Sequence, residues 1–375
     1  MKPSSRAEAI IPSAIRDLTE RAGPQSLHLG LGQPDTPMHP SVLEAIRDAI
    51  APLANYGPNL GTLQARKAVA DHYGVDLDSV LITAGVQEGL ALSVLGLVEP
   101  GQKVLVPNPG FPAYPNLVRA AHATPVYYEL GSDWSLDLQR IEASWEDGVK
   151  AIIINSPGNP TGAVFSEAEI RKLVEWCEER EITIISDEIY EDFVYEGVHF
   201  SAFEASKSSV IRLSGLSKSH SMMGWRLGWL IAEPSFVQGL KGLHQHLVTS
   251  AVVPIQDVIP TALAVHGEHT RAAVKIFSAR RDTLIQALRA EWPQMPEAVA
   301  AGAFYVLLDV RAASDRFGGS YPLALNILQE IDVVAIPGSG FGSGAEGYLR
   351  LAYTVEESKL EVAGARLGAY LKQFE

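Results

Sequence analysis

The sequence predicts an α/β fold, and three observations carry that reading. Short, wholly apolar runs alternate with amphipathic helical stretches through the middle of the chain. Runs apolar at consecutive positions are the mark of strands buried on both faces. Polar residues cluster just after these runs, where open α/β sheets form their ligand crevice.

The elements follow in order. Residues 151–155 read as a buried strand, and a proline/glycine loop comes next. Ser166 and Glu169 have the spacing of a capping box, so a helix starts there and runs towards Glu179. Residues 182–186, 210–213 and 227–231 read as three more strands. Residues 271–290 are helical and charged. Residues 303–310, 333–338 and 348–353 read as strands of a compact α+β unit. We place a large unit at 46–280 and a small one at 281–375, with residues 1–45 packing against the small one.

With 375 residues, 47% hydrophobic and 20% charged, the chain suits one large domain and a smaller one. Its net charge of −14 disfavours nucleic acid and anionic membranes as partners. The single cysteine, Cys177, excludes an internal disulfide and a CxxC metal site, and its helical setting suggests a buried, inert thiol. No stretch resembles a signal peptide or a membrane span, so the expected location is cytoplasmic, and no metal is expected.

Lys218 sits among small residues in Gly215-Leu216-Ser217-Lys218-Ser219, and Arg226 follows in Gly224-Trp225-Arg226-Leu227-Gly228. Schiff-base chemistry on pyridoxal 5'-phosphate needs these parts: an amine for the aldehyde, a guanidinium for the phosphate, and room for a ring. An isolated Lys/Arg pair would read as a surface lysine and a structural arginine, but further motifs of the same chemistry accompany it. Asp187, at a strand end, suits a protonated pyridine nitrogen, since a buried carboxylate stabilises that cation. Tyr190 shares its face if a helical turn starts here, which would bring its hydroxyl to the ring 3′-oxygen; a core tyrosine is the alternative. Asn159, between Gly158 and Pro160, suits an amide donor to the same oxygen, with a plain Asn-Pro turn as the alternative.

Gly85 ends a small-residue turn that opens a helix, so the Val86 and Gln87 amides suit a phosphate. Residues 338–342 are glycine-rich but lack dinucleotide-binding spacing, and read as a loop. Lys218 needs a depressed pKa to act as a base, for which neighbouring cations such as Arg226 and the imine chemistry are the expected sources. Arg350 lies in an apolar strand, where arginine is seldom buried unless paired. It reads as a clamp for a substrate carboxylate, or as half of an internal salt bridge.

Together these residues resemble fold type I pyridoxal-phosphate enzymes, specifically class I/II aminotransferases of the aspartate aminotransferase superfamily, over nearly the whole chain. The resemblance implies a large domain with a mostly parallel seven-stranded sheet between helices, plus a smaller α+β domain from both chain ends. It implies that Gly32, in Gly30-Leu31-Gly32-Gln33-Pro34, lies beside the substrate carboxylate. It implies that Tyr56 reaches the phosphate of the neighbouring subunit and that Phe111 stacks on the cofactor ring. Asn159, Asp187, Tyr190, Lys218, Arg226 and Arg350 match the family's functional positions. Many relatives carry a hydroxyl three positions before the lysine, where this chain has Gly215; Ser217 and Ser214 are the candidates to replace it. No arginine for a distal carboxylate is identifiable, so aspartate specificity is not supported.

The expected activity is ping-pong transfer of an α-amino group from an L-amino acid to a 2-oxo acid. Phe111 and Tyr114 are expected to line an apolar side of the pocket, favouring neutral or aromatic substrates, in a homodimer with shared active sites. A carbon–sulfur β-lyase or other carbanion chemistry is the alternative on the same scaffold. A regulator that has lost catalysis is disfavoured, because no basic module precedes Gly32.

Overall fold

The computed structural model describes residues 2–10, 12–50, 55–298 and 300–375. The strands are β1 (Leu27–His28), β2 (Val80–Thr83), β3 (Lys103–Asn108), β4 (Thr124–Glu129), β5 (Val149–Asn155), β6 (Thr183–Asp187), β7 (Val210–Gly215), β8 (Gly228–Ile231), β9 (Tyr305–Asp309), β10 (Val333–Val334), β11 (Ile336–Pro337) and β12 (Tyr348–Ala352). Seven of them form one sheet in the order β2-β8-β7-β6-β5-β3-β4. β8 is antiparallel to both neighbours, and the other pairings are parallel.

The apolar runs are buried on both faces of this sheet. Along β5, Ile152 and Ile154 enter one core, while Ala151 and Ile153 enter the other. That alternation is the period of a pleated strand, and it explains why these strands show no polar face. The helix Glu167–Glu178 covers the first core with Ile170, Leu173 and Cys177, and its Ser166–Glu169 capping box is formed. Cys177 is fully buried, and burial pushes its thiol up from the usual range.

A third core joins the remaining sheets. β11-β12-β9 is antiparallel, and β1-β10 is a parallel pair. The helices His266–Glu291 and Glu357–Leu371 pack here through Leu284, Leu288, Ala363 and Leu367. Gly364 permits this contact, since a Cβ there would lie 2.7 Å from the Ala287 Cβ. The long helix passes unbroken through position 280, and its Phe277 already belongs to the third core.

One predicted strand differs. Residues 333–338 form two short strands instead of one, because the segment changes partner at Ala335. Val333 and Val334 pair with Leu27 and His28, whereas Ile336 and Pro337 pair with Arg350 and Leu349. Residues 338–341 are a turn of 3₁₀ helix, tied to the large sheet by the Asn108 side chain, whose Oδ1 accepts from Gly344 N at 2.9 Å.

The sheet's register assembles one edge. Asn155 lies opposite Asp187 and Asp187 opposite Leu213. Gly215 lies opposite Gly228, which also lies opposite Thr83. Because β8 runs against its neighbours, its start sits where they end. Arg226 therefore arrives at the same edge as the residues that follow β2, β5, β6 and β7.

Candidate active site

That edge opens on a cavity of about 260 Å³ lined by Gly32, Val86, Gln87, Phe111, Asn159, Asp187, Tyr190, Ser217, Lys218, Arg226 and Arg350. Ile15, Leu31, Gln33, Leu90, Tyr114, Asn155, Ile189, Met223 and Tyr305 complete its wall. A wider cleft of about 640 Å³ adjoins it, sharing Ile15, Leu31, Gln33, Gln87 and Phe111.

At one end the helix Val86–Leu97 begins just after Gly85, with no side chain capping it. Free amides and the positive end of the helix dipole favour an anion here. Gly85 has a φ of 81°, and a Cβ on it would lie 2.8 Å from Arg226 Nη2. The guanidinium therefore rests against bare backbone. Arg226 itself adopts a φ of 56°, and its Nη1 donates to Met223 O at 3.0 Å.

Gly215 is explained by the same close approach. A Cβ there would lie 2.7 Å from Gly228 Cα and 2.8 Å from Leu227 O, so no hydroxyl residue fits. Of its two candidate replacements, Ser214 is turned away, its hydroxyl donating to Glu191 Oε1 at 2.5 Å. Ser217 lines the cavity.

In the middle stands Asp187, buried at the end of β6. Its Oδ2 accepts from the Tyr114 hydroxyl at 2.9 Å, and its Oδ1 from Ile189 N at 3.3 Å. Burial raises its pKa to about 6, against the lowering effect of the Tyr114 hydrogen bond. Such a carboxylate is short of positive charge and suits a cationic partner. Tyr114 was expected to offer only an apolar wall; its hydroxyl is instead the partner of Asp187. Phe111 meets the Tyr114 ring edge-on at 5.6 Å between centroids.

Lys218 projects from the short helix Leu216–Ser219, directly after β7. Its Nζ donates to Gly32 O at 2.7 Å. Burial is the main cause of its lowered pKa. Of the neighbouring cations, Arg350 adds to that lowering more than Arg226, which contributes as well.

Arg350 closes the other end. It is buried, with Nη1 donating to Asn159 Oδ1 at 2.9 Å and Nη2 to Gly30 O at 2.5 Å. Its guanidinium lies 4.4 Å from the Tyr305 ring centroid and 4.7 Å from that of Phe341. Among the described residues no carboxylate pairs with it, and its Nε is buried without a partner. The salt-bridge alternative is thus not what the fold contains. Asn159 is held by its own N–H, which donates to Asn155 Oδ1 at 2.8 Å, while Asn155 Nδ2 donates to Asp187 O at 2.8 Å.

Tyr190 reaches the cavity from the turn after β6. Its hydroxyl lies 2.8 Å from that of Tyr305. Two expected residues lie outside the cavity wall: Gly85, which packs against Arg226 just before the helix start, and Tyr56, which is 89% exposed in its own chain. Sequence reasoning missed Tyr305 and Ile15. Tyr305 shares a face of the small sheet with Arg350, but an all-apolar strand carries no sign of which aromatic faces a ligand.

A buried amine, a buried carboxylate, a capless helix start beside an arginine, and a second arginine lacking a counter-ion thus line one cavity. The sequence matches the family described as aminotransferase class I and II over residues 24–367, and the chain belongs to that family. It is 31% identical to a probable aspartate aminotransferase of Methanocaldococcus jannaschii, over 96% of this chain and 97% of that one. It is 32% identical to aromatic-amino-acid aminotransferase 2 of Thermococcus litoralis, over 100% and 99% of the two chains. A solved single mutant of Thermus thermophilus aspartate aminotransferase superposes with a TM-score of 0.92 at 29% identity, covering 99% of this chain and all (100%) of that one. The chain is an aminotransferase.

Proposed function

We propose that this aminotransferase uses pyridoxal 5'-phosphate, held covalently by Lys218, and works by a ping-pong cycle on neutral or aromatic L-amino acids and 2-oxo acids. The observation that carries the reading is Arg350: a buried guanidinium with no carboxylate of its own, facing the same cavity as the Lys218 amine.

The residues fit the cofactor. The Val86 and Gln87 amides, Arg226 and Ser217 would hold the phosphate. Asp187, short of positive charge, would face the ring nitrogen, and Phe111 the ring face. Tyr190 and Asn159 would supply donors for the ring oxygen. The bound cofactor supplies an aldehyde carbon and an electron sink for the pair left at the substrate α-carbon.

The chain's own work follows from its charges. Arg350 binds the substrate carboxylate, and its free Nε offers one donor already desolvated. That fixes the α-carbon towards Lys218. Burial lowers the Lys218 pKa, which favours the neutral amine whose Nζ would take a proton from that carbon and return it elsewhere. With its pKa at about 6, Asp187 is largely ionised at neutral pH, and a cation facing it would keep it charged at lower pH as well. Apart from Gln33, the walls left for a side chain are apolar: Ile15, Leu31, Ile189 and Met223. Arg16 lies farther out, in the wider cleft.

A second copy of the chain is also part of this reading. Ile50, Tyr56, Leu63, Leu247 and Val252 are large apolar residues left exposed. Their two segments are joined where Asn59 Nδ2 donates to Thr249 O at 2.8 Å. A patch of this kind suits burial against a partner, and it would carry Tyr56 towards the neighbouring site.

Borohydride reduction of the cofactor-loaded protein, followed by peptide mapping, should label Lys218. A label elsewhere would end the proposal. Amino acids tried singly should change the absorbance of the loaded protein, phenylalanine more readily than aspartate. Release of pyruvate and ammonia without any 2-oxo acid acceptor would favour the β-lyase alternative instead.

A further inference from the structure

Asp187 and Tyr190 face the cavity, but the acids beside them face away. Adjacent residues at a strand end point to opposite sides of the sheet. Glu188 follows Asp187 and is only 1% exposed; Glu191 follows Tyr190 and is largely covered. Both meet one guanidinium, that of Arg212 on β7. Arg212 Nε lies 2.9 Å from Glu188 Oε2, an ion-pair contact off the hydrogen-bond direction, and its Nη2 donates to Glu191 Oε2.

Hydroxyls and a histidine complete the cluster. Glu188 Oε1 accepts from Ser186 Oγ at 2.9 Å and Ser201 Oγ at 2.7 Å, and its Oε2 lies 3.1 Å from His199 Nε2. Glu191 Oε1 accepts from the Tyr73 hydroxyl at 2.6 Å and from Ser214 Oγ at 2.5 Å. The Arg212 guanidinium also lies 4.2 Å from the Tyr73 ring centroid. Ligand atoms of Glu188, Glu191 and His199 fall within 4.8 Å of one another, which could suit a metal. Arg212 already supplies the cation between these carboxylates, so the cluster is complete as it stands.

Its cost makes it informative. Burial alone would raise the Glu191 carboxyl, yet Arg212, His199 and the two hydroxyls hold it below the usual carboxylate range. Buried ion clusters seldom stabilise a fold more than apolar packing of the same volume would. What this one provides is geometry. Backbone hydrogen bonds add to it, with Glu188 N donating to Leu213 O at 2.9 Å and Glu191 N to Glu188 O at 2.9 Å. The turn bearing Asp187 and Tyr190 is thereby bolted to β7, the strand that leads directly to Lys218.

We propose that Arg212, with Glu188 and Glu191, is the positioning device that holds Asp187 and Tyr190 at their places relative to Lys218. The inference rests on the cofactor reading above. Arg212, Glu188 and Glu191 are positioning residues, acting on the cofactor only through the groups they hold.

Glu191→Gln removes the charge with little change of shape, and Arg212→Lys keeps the charge but loses the fork. Tyr73→Phe removes one hydroxyl and leaves the ion pairs intact, so it decides the matter should the other two fail to fold. Each protein is compared with wild type for the stability of the cofactor-free form, for pyridoxal phosphate affinity, and for the pH midpoint of the Lys218-bound chromophore. The expected result is a folded protein with affinity weakened about tenfold, as when partners behind a ligand are removed. The chromophore midpoint is expected to move by about half a pH unit or more, because the charges and donors around the ring have shifted. A merely structural cluster would lower stability and leave the midpoint unmoved. Folded variants with the wild-type midpoint and affinity overturn the inference while the cofactor reading stands. A wild-type protein that takes up no pyridoxal phosphate removes both.

Discussion

Arg350 Nη1 donates to Asn159 Oδ1 at 2.9 Å, joining residues 191 positions apart in the chain. The small antiparallel sheet and the turn after β5 of the large sheet thus meet at one hydrogen bond. If a substrate carboxylate binds here, Arg350→Lys keeps the charge but loses the planar fork. Charge-assisted bonds worth ~1.5–3 kcal/mol predict a KM for the amino acid raised about 10–100-fold. Steady-state kinetics with saturating acceptor measure this, and an unchanged KM would place the carboxylate elsewhere.

Asp187 makes the cofactor-free protein pH-sensitive. Its carboxyl rises from 3.8 to about 6 on folding, mainly through burial. The folded state therefore holds this proton more tightly than the unfolded chain between those values. Stability contributed by the protonated form is full below about pH 4 and is lost as pH rises through about 6, by at most ~3 kcal/mol. Asp187→Asn should flatten that dependence in cofactor-free protein while lowering kcat in the loaded enzyme. Denaturant melts at pH 4 and pH 7 test the first half. Equal slopes for both proteins would mean that Asp187 does not titrate in this range.

Gly215, three positions before the lysine, should resist replacement by serine. Gly215→Ser would press a Cβ against Gly228 Cα and Leu227 O, at 2.7 and 2.8 Å. Overpacking of this kind costs ~1–3 kcal/mol. Ser217→Ala should leave the melting temperature in place. It should also weaken pyridoxal phosphate binding by about tenfold or more, the value of a hydrogen bond to a charged group. Gain of affinity in Gly215→Ser would contradict this account.

Tyr56 offers a test of the shared site. Its side chain is 89% exposed in its own chain, so Tyr56→Phe should change monomer stability by less than about 0.5 kcal/mol. Cofactor affinity should nevertheless fall if the hydroxyl serves a neighbouring subunit. Equilibrium dialysis beside sedimentation separates the two effects. Unchanged affinity in a dimer would remove Tyr56 from the site.

Much of the large sheet was legible because its strands carry consecutive apolar residues, such as Ala151, Ile152, Ile153 and Ile154 of β5, which amphipathic surface elements do not. The Ser166–Glu169 box was legible because it is local. The strand at 333–338 was misread for the opposite reason: both halves are apolar, and only their partners, β1 and β12, divide them. Tyr114 shows a similar limit. An aromatic two residues from a proline reads as wall, and nothing local reveals that its hydroxyl meets a carboxylate 73 positions away.

The order of chemical groups was written in the chain itself: an amine, two arginines, a strand-end carboxylate, and a helix start made of small residues. Those are properties of residue type and spacing, which need no fold to be read. Folding alone decided which of them lack partners. Arg350 has no carboxylate partner among the described residues because the small sheet buries it against Asn159 and the Gly30 carbonyl, and Asp187 is buried because β6 ends against Tyr114. Burial and partnership are sums over distant segments, and they exist only once the sheets have closed.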